Sequence, residues 1–196
     1  DGDLMEGISH ESIGIAGHLK LNKLIVLWDD NHISIDGPLS LSDSTDQVAR
    51  FIAHGWNAER VDGHDPEAIA AAIEKAKTSD KPTLIACRTT IGYGAPGKAG
   101  TSSVHGSPLG AETVAGARLA FGIDLPAFEL PAETISAWRE AGSRAEAAAY
   151  ADWNGRLDTM DAAKRAEFER RNQDILPDGL APAFQKLKEG LYAEPK

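Results

Sequence analysis

The sequence predicts an α/β fold with a doubly wound, mostly parallel sheet and helices on both of its faces. Three apolar runs of strand length lie at 24–28, 56–61 and 82–88. Segments of helical period separate them, and the links between consecutive elements are short. Strands that alternate with helices in this way indicate right-handed crossover connections and therefore parallel pairing.

The first helix and the first strand are predicted from their apolar patterns. A helix over 6–21 is expected because apolar side chains recur there at mixed three- and four-residue spacing. The run 24–28 is continuous and β-branched at its centre, which suits a strand buried on both faces. Three polar residues, 29–31, follow it. Residues 33–37 then alternate in polarity and turn at Gly37 and Pro38.

The next two helices are predicted from their capping residues. Ser44 or Thr45 is expected to cap a helix that Gly55 ends. Asp65 is expected to cap the following helix, with Pro66 at its first position and its end near residue 78. The strands at 56–61 and 82–88 follow these two helices, which completes the alternating pattern.

The amino-acid composition changes after the third strand. Residues 91–110 contain six glycines and two prolines, which predicts a long loop, and long ordered loops are usually functional. From about residue 111 the chain is rich in alanine and helical in character, with Trp138, Trp153 and Phe168 expected to pack. We therefore expect one domain over 1–131 and a helical extension over 132–196 that leads toward a further domain.

Composition excludes several classes of function. The 196 residues carry 20 Lys plus Arg against 30 Asp plus Glu, a formal net charge of −10. This acidity argues against nucleic acid and against an anionic membrane surface, and no apolar run approaches the roughly 20 residues of a membrane helix. The single cysteine, Cys87, excludes an internal disulfide and favours a reducing, cytoplasmic setting. The opening Asp-Gly-Asp, without Met, indicates a segment of a longer polypeptide.

Two polar clusters fall where ligands bind in parallel sheets, beyond the carboxyl ends of strands. Asp1 and Gly2 precede the first helix, and Asn31 follows the first strand, so we expect Asp1 and Asn31 to face each other across a crevice. Carboxylate and amide oxygens are ligands that Mg²⁺ accepts together with substrate phosphates. Gly2 allows the backbone to approach a phosphate closely. Position alone thus predicts a metal-bridged diphosphate.

The same residues carry a family resemblance. Asp1-Gly2 followed by Asn31 resembles the thiamine diphosphate motif, although its leading Gly is missing from this chain. Five flanking segments resemble transketolases in the same order: LMEGISHE at 4–11, DDNHISIDG at 29–37, VDGHD at 61–65, TIGYG at 90–94 and VHGSPLG at 104–110. The resemblance covers at least residues 1–131. It implies the thiamine diphosphate-binding fold, here incomplete at its N-terminus.

The resemblance implies a role for each matching position of the diphosphate site. The side chains of Asp1 and Asn31 match metal ligands, and Ile33 matches the residue whose backbone carbonyl binds the same metal. Gly2 matches a backbone contact to the diphosphate. The implied cofactors are thiamine diphosphate and Mg²⁺ or Ca²⁺.

Three further positions match residues around the reacting part of the cofactor. Ile91 matches an apolar contact near the thiazolium ring, and His105 matches a histidine close to both cofactor and substrate. Glu6 matches an acid at the dimer interface, near the activating glutamate of the partner domain. We assign His32 no role. We interpret Asp29 as a residue that solubilises the strand end and Cys87 as an inert buried side chain.

The resemblance implies transfer of a two-carbon ketol unit from a ketose phosphate, such as xylulose 5-phosphate, to an aldose phosphate in the pentose phosphate pathway. It also implies a homodimer with its active site between subunits, so this chain is expected to be inactive without the remaining domains. Two alternatives stay open. One is another ketol transferase that uses thiamine diphosphate, such as a dihydroxyacetone synthase, and the other is a non-catalytic assembly fragment.

Overall fold

The computed structural model describes residues 1–193, without the side chains of residues 144–146. The described chain divides into two compact units, the first spanning Asp1–Asp124 and the second beginning at Leu125. The domain limits expected from the sequence, 1–131 and 132–196, stay a prediction. The last three residues of that expected extension lie outside the described residues.

The first unit is built around a three-stranded parallel sheet. Its elements in chain order are α1 (Gly2–Met5), α2 (Gly7–His18), β1 (Ile25–Asp30), β2 (Ile33–Ser34), β3 (Gly37–Pro38), α3 (Gln47–Ala53), β4 (Asn57–Asp62), α4 (Pro66–Lys77), β5 (Thr83–Arg88) and α5 (Ala111–Ala120). Strand β5 lies at the centre and pairs in parallel with β1 and with β4. The predicted α/β class, the three strands and their parallel pairing are therefore confirmed.

The central strand β5 packs on both of its faces. Leu84 and Ala86 belong to a core cluster formed with residues of α2 and α3. Ile85 and Cys87 belong to a second cluster, which Ala72 of α4 completes. Because successive side chains of a strand point to opposite faces, the two clusters lie on opposite sides of the sheet. A near-continuous apolar run is the pattern that such a position requires.

Strand β1 departs from its prediction in length and in burial. It extends through Asp30, two residues beyond the predicted end. The predicted burial on both faces is not found within the described chain, because Leu27 is 50% exposed whereas Trp28 is 8% exposed. Trp28 points into the cluster with α2 and α3. On the other face, the cluster with α4 reaches Ile25 but does not include Leu27.

The predicted first helix is two helices. Glu6 has an extended backbone, with φ −68° and ψ 142°, and separates the single turn α1 from the longer α2. Helix α2 ends at His18, earlier than predicted, and Lys20 just beyond it has a positive φ of 50°. The turn that carries Asp1 and Gly2 is therefore a separate short piece.

The capping predictions have mixed outcomes. The N-cap of α3 is Asp46, whose carboxylate accepts a backbone N–H of the first turn at 3.1 Å, so the predicted caps Ser44 and Thr45 are wrong. Asp65 caps α4 as predicted, accepting two backbone N–H groups at 2.9 and 3.1 Å, with Pro66 at the first helical position. Local sequence settles the second helix start, whereas the first offered several capping residues in a row.

The predicted long loop is confirmed between β5 and α5. All six of its glycines have positive φ, the left-handed region that glycine enters at little cost: Gly92, Gly94, Gly97, Gly100, Gly106 and Gly110. A short 3₁₀ turn, Ser102–Val104, lies within it. The glycines thus allow the backbone to change direction at several points of the loop where other residues would be strained.

The described part of the second unit contains three helices, α6 (Ala132–Asp158), α7 (Ala162–Asn172) and α8 (Leu180–Ala193). The predicted helical character is confirmed for the described residues. Trp153 lies between Tyr150 and Phe168, with ring centroids 6.2 and 6.3 Å away. The expected packing of Trp138 is not found within this unit, since it is 82% exposed. Within residues 1–193 no helix is long and apolar enough to cross a membrane.

Candidate functional site

A cleft of about 700 Å³ lies in the first unit, beyond the carboxyl end of β1. All the site residues expected from the sequence line it: Asp1, Gly2, Glu6, Asn31, Ile33, Ile91 and His105. They come from four separate stretches of the chain. The fold therefore brings the expected residues together, while the role of each stays a prediction.

The side chain of Asp1 is held through one of its two carboxylate oxygens. The indole N–H of Trp28 donates to Oδ1 of Asp1 at 3.2 Å. The second oxygen, Oδ2, is buried and has no hydrogen-bond partner in the described part of the chain. A buried carboxylate oxygen without a donor is unfavourable unless a cation or another donor reaches it. This atom is therefore the clearest candidate in the cleft for binding a cation.

The turn α1, which begins just after Asp1, is tied to helix α3 by Arg50. Nη1 of Arg50 donates to the Leu4 carbonyl and to Oε1 of Gln47, both at 2.8 Å. The amide of the buried Gln47 in turn donates to Asp43 at 3.0 Å. Burial lowers the pKa of Arg50, and the charge of Asp43 opposes that shift. This chain of contacts anchors α1 from behind the cleft.

Asn31 is held at both ends of its amide. Its Oδ1 accepts the backbone N–H of Ile33 at 2.9 Å, and its Nδ2 donates to Asp29 at 3.0 Å. The other oxygen of Asp29 accepts the hydroxyl of Thr89. An amide oxygen has two lone pairs, so Oδ1 keeps one for a further ligand. Asp29 therefore does more than solubilise the strand end, because it orients Asn31.

His32, to which no role was assigned, supports the backbone between Asn31 and Ile33. Its φ is +61°, an uncommon conformation for a residue with a side chain. Its Nε2 lies 2.9 Å from Oδ1 of Asp30, a carboxylate that is only 2% exposed. Arg88 also approaches Asp30, donating to its backbone carbonyl at 3.0 Å. The sequence offered no signal for this arrangement, since neither Gly nor Asn occupies position 32.

Ile91, at the start of the glycine-rich loop, and His105, in its second half, both line the cleft. The Ile91 carbonyl accepts the N–H of Gly100 at 2.8 Å, which folds the loop back on itself. A Cβ placed on Gly92 would lie 3.0 Å from Cγ2 of Val104. Because glycine has no side chain, the backbone at Gly92 can approach Val104 closely. His105 follows Val104 directly and is exposed to the cleft.

Cys87 is buried beside the site but does not line it. Burial, and secondarily the negative charge of Asp29, raises the pKa of the Cys87 thiol. A raised pKa keeps the sulfur protonated and unreactive near neutral pH. This fits the inert packing role expected from the sequence.

The cleft is strongly acidic. The lining residues that carry carboxylates are Asp1, Asp3, Glu6, Asp29 and Asp36. No lysine or arginine stands among the described residues that line it. A diphosphate would be repelled here unless a cation came with it, since like charges at close range are unfavourable.

The oxygen donors in the cleft fit a hard divalent cation. Asp1 offers one anionic oxygen and Asn31 an amide oxygen, and Ile33, which also lines the cleft, has a backbone carbonyl. Within residues 1–193 there is no cluster of three or more His, Cys, Asp or Glu that could enclose a metal. Mg²⁺ commonly binds through one or two carboxylates and completes its shell with waters and substrate phosphates. The donor set suits that mode rather than a closed protein cage.

The family model and the curated relatives that match this chain are described as transketolases. Residues 1–177 match the family described as "Transketolase, thiamine diphosphate binding domain". The chain is 52% identical over 194 residues to a transketolase of Cereibacter sphaeroides, covering 99% of this chain and 29% of that protein. It is 51% identical over 173 residues to a transketolase of Sinorhizobium medicae, covering 88% and 25% respectively. The chain thus spans under a third of the length of these relatives.

Solved structures agree with the sequences. Transketolase from Leishmania mexicana superposes with a TM-score of 0.82 at 37% identity, covering 91% of this chain and 28% of that one. Transketolase of Pichia stipitis in complex with sedoheptulose-7-phosphate gives 0.81 at 38% identity, covering 91% and 27%. With the match over residues 1–177, these likenesses show that the chain belongs to the transketolase thiamine diphosphate-binding domain family.

Proposed function

We propose that this cleft binds thiamine diphosphate together with a divalent cation, Mg²⁺ or Ca²⁺, and that the full-length protein is a transketolase. The observation that carries the proposal is the buried Oδ2 of Asp1, which has no hydrogen-bond partner among the described residues, in a cleft that Asn31 and Ile33 also line. An oxygen of this kind is stabilised when a cation binds it.

The diphosphate end of the site would be held by four positions. The side chains of Asp1 and Asn31 and the carbonyl of Ile33 would bind the cation, and the backbone of Gly2 would contact the diphosphate. A Cβ on Gly2 would meet no atom within 4 Å, so there is open space above this residue. The cation would offset the charge of the diphosphate, which the acidic cleft otherwise disfavours.

The remaining positions would serve the reaction itself. When bound, the cofactor would supply the electron sink that stabilises the transferred two-carbon fragment. His105 would donate or accept a proton at a substrate hydroxyl, since an imidazole exchanges protons near neutral pH. Ile91 would contact the thiazolium region and exclude water, and Glu6 would lie at the dimer interface near the activating glutamate of the partner domain.

The rest of the proposal concerns the whole protein. The full-length protein transfers a two-carbon ketol unit from a ketose phosphate, such as xylulose 5-phosphate, to an aldose phosphate. It is a cytoplasmic homodimer in which this chain belongs to a larger doubly wound sheet, and further domains complete the active site. The 196 residues alone would therefore be inactive.

The test is binding and turnover by the full-length protein. We expect calorimetry to detect thiamine diphosphate binding in the presence of Mg²⁺, and we expect turnover of xylulose 5-phosphate with an aldose phosphate acceptor. Preference for formaldehyde as acceptor would instead identify a dihydroxyacetone synthase. Absence of binding, with the metal present and the protein folded, would overturn the proposal in favour of an assembly fragment.

A further inference from the structure

Two buried tryptophans of the same core make different use of their indole N–H groups. Trp28 and Trp56 are 8% and 4% exposed and belong to one cluster. The N–H of Trp56 donates to the backbone carbonyl of Ile13 at 2.9 Å, inside the fold. The N–H of Trp28 donates to the carboxylate of Asp1 at 3.2 Å, at the wall of the cleft. Only one of these two similar contacts reaches the site.

The contact from Trp28 fixes the orientation of the Asp1 carboxylate and therefore the direction of its free oxygen. A carboxylate turns about its terminal bond through a broad, two-fold well, so by itself it has no fixed orientation. With Oδ1 accepting from a rigid, buried ring, Oδ2 is the oxygen that remains, and it is buried without a partner among the described residues. The carboxylate is thus oriented before any ligand arrives.

The chemistry of the donor suits this task. An indole N–H donates a hydrogen bond but carries no charge and accepts none. A lysine or arginine in the same place would form an ion pair with Asp1 and compete with a cation for it. Trp28 therefore restrains Asp1 while leaving its negative charge in the cleft.

We propose that Trp28 is a positioning residue for the cation and diphosphate site, because its indole N–H holds Asp1 with Oδ2 free to bind the cation. This inference rests on the proposed function. Removing the partner of a metal ligand usually costs 10- to 100-fold in metal affinity. We expect Trp28→Phe to weaken cation binding by about this factor.

Trp56→Phe is the matched control. Both substitutions remove one indole and one hydrogen bond from the same buried cluster, so both lower the melting temperature of the ligand-free protein. The experiment measures Mn²⁺ affinity in the presence of thiamine diphosphate by electron paramagnetic resonance, using the full-length wild type and both variants. We expect Trp28→Phe to lose affinity and Trp56→Phe to keep it.

The outcomes separate this inference from the function on which it rests. A wild type that binds neither Mn²⁺ nor thiamine diphosphate would contradict the proposed function. A wild type that binds both, with equal affinities for Trp28→Phe and Trp56→Phe, would contradict the positioning role alone.

A second measurement does not depend on folding of the Trp28 variant. Wild-type protein labelled with 5-fluorotryptophan is followed by ¹⁹F nuclear magnetic resonance during titration with Mg²⁺ and thiamine diphosphate. The resonance of Trp28 should move on binding, and that of Trp56, assigned with Trp56→Phe, should not. Binding without any change in a tryptophan resonance would overturn the inference.

Discussion

Replacing Asp1 by asparagine removes a negative charge from the cleft and keeps the shape of the side chain. The indole of Trp28 can still donate to the remaining carbonyl oxygen, so the contact seen at 3.2 Å is retained. The position of Oδ2, buried and without a partner among the described residues, becomes an uncharged amide nitrogen. The substitution therefore removes both the negative charge and the lone pairs that Oδ2 would offer a cation.

The structure predicts opposite effects on stability and on binding. A hydrogen bond to a charged group contributes about 1.5–3 kcal/mol. Taking the same magnitude for the lost cation contact gives about a 10- to 100-fold loss of cation-dependent cofactor affinity. In the ligand-free protein the same change removes the charge from a carboxylate whose Oδ2 is buried and has no hydrogen-bond partner among the described residues. The melting temperature without ligand should therefore equal or exceed that of the wild type.

The assay compares full-length wild type and Asp1→Asn by calorimetry with thiamine diphosphate and Mg²⁺, and by thermal unfolding without either. A variant that unfolds like the wild type and binds about 10- to 100-fold more weakly supports the reasoning. Unchanged affinity in a folded variant would refute the assignment of Asp1 as a cation ligand.

Three further predictions concern other parts of the first unit. His105→Ala should lower kcat by about 10²- to 10⁴-fold, as expected for a lost proton donor, while cofactor affinity stays near the wild-type value; a loss of affinity as large as that of Asp1→Asn would contradict its role. Gly92→Ala should destabilise the protein by more than the roughly 1–2 kcal/mol expected for a left-handed residue, because its Cβ would lie 3.0 Å from Val104. Gly97→Ala is the control, since its φ of +68° is similar and nothing lies within 4 Å of its Cβ; equal urea midpoints for the two variants would contradict this explanation. Asp46→Ala should lower the melting temperature by removing the N-cap of α3. The pKa of Asp46 is lowered from its ordinary 3.8, mainly by the hydrogen bond that its carboxylate accepts from a backbone N–H of α3. The difference in melting temperature between variant and wild type should therefore be constant above pH 3.8 and vanish as the pH falls through the lowered pKa. A difference in melting temperature that persists in acid would contradict the capping role.

The parts of the fold that the sequence predicted well are those determined locally. Asp65 followed by Pro66 leaves one favourable helix start, and the apolar run of β5 leaves one favourable position, the centre of the sheet. The start of α3 was missed because capping residues are adjacent there. Asp43 accepts the N–H of Thr45 in a turn of its own, so the helix begins after Asp46.

The exposure of Leu27 could not be predicted from the strand alone. A continuous apolar run states that a strand can be buried on both faces, but burial depends on which helices cover it. Here the cluster with α4 includes Ile25 and not Leu27. Nothing in the residues around position 27 records where α4 lies.

Some residues of the candidate site could likewise be predicted from the sequence, and others could not. Its lining residues were found through motifs and a family resemblance, which point to short stretches such as that of Asn31. The residues behind them were missed, because Trp28 reaches Asp1 and Arg50 reaches Leu4 across long stretches of sequence. Side chains that support a site from the core look like ordinary packing or surface residues until the fold is known.

The central claim is that the acidic cleft binds a diphosphate only through a divalent cation. The most direct measurement is calorimetric titration of the full-length protein with thiamine diphosphate, first with Mg²⁺ and then with the metal removed by a chelator. Because the lining includes five carboxylates and, among the described residues, no lysine or arginine, binding should be clear with Mg²⁺ and undetectable without it. Binding of equal affinity in the chelator would contradict the account.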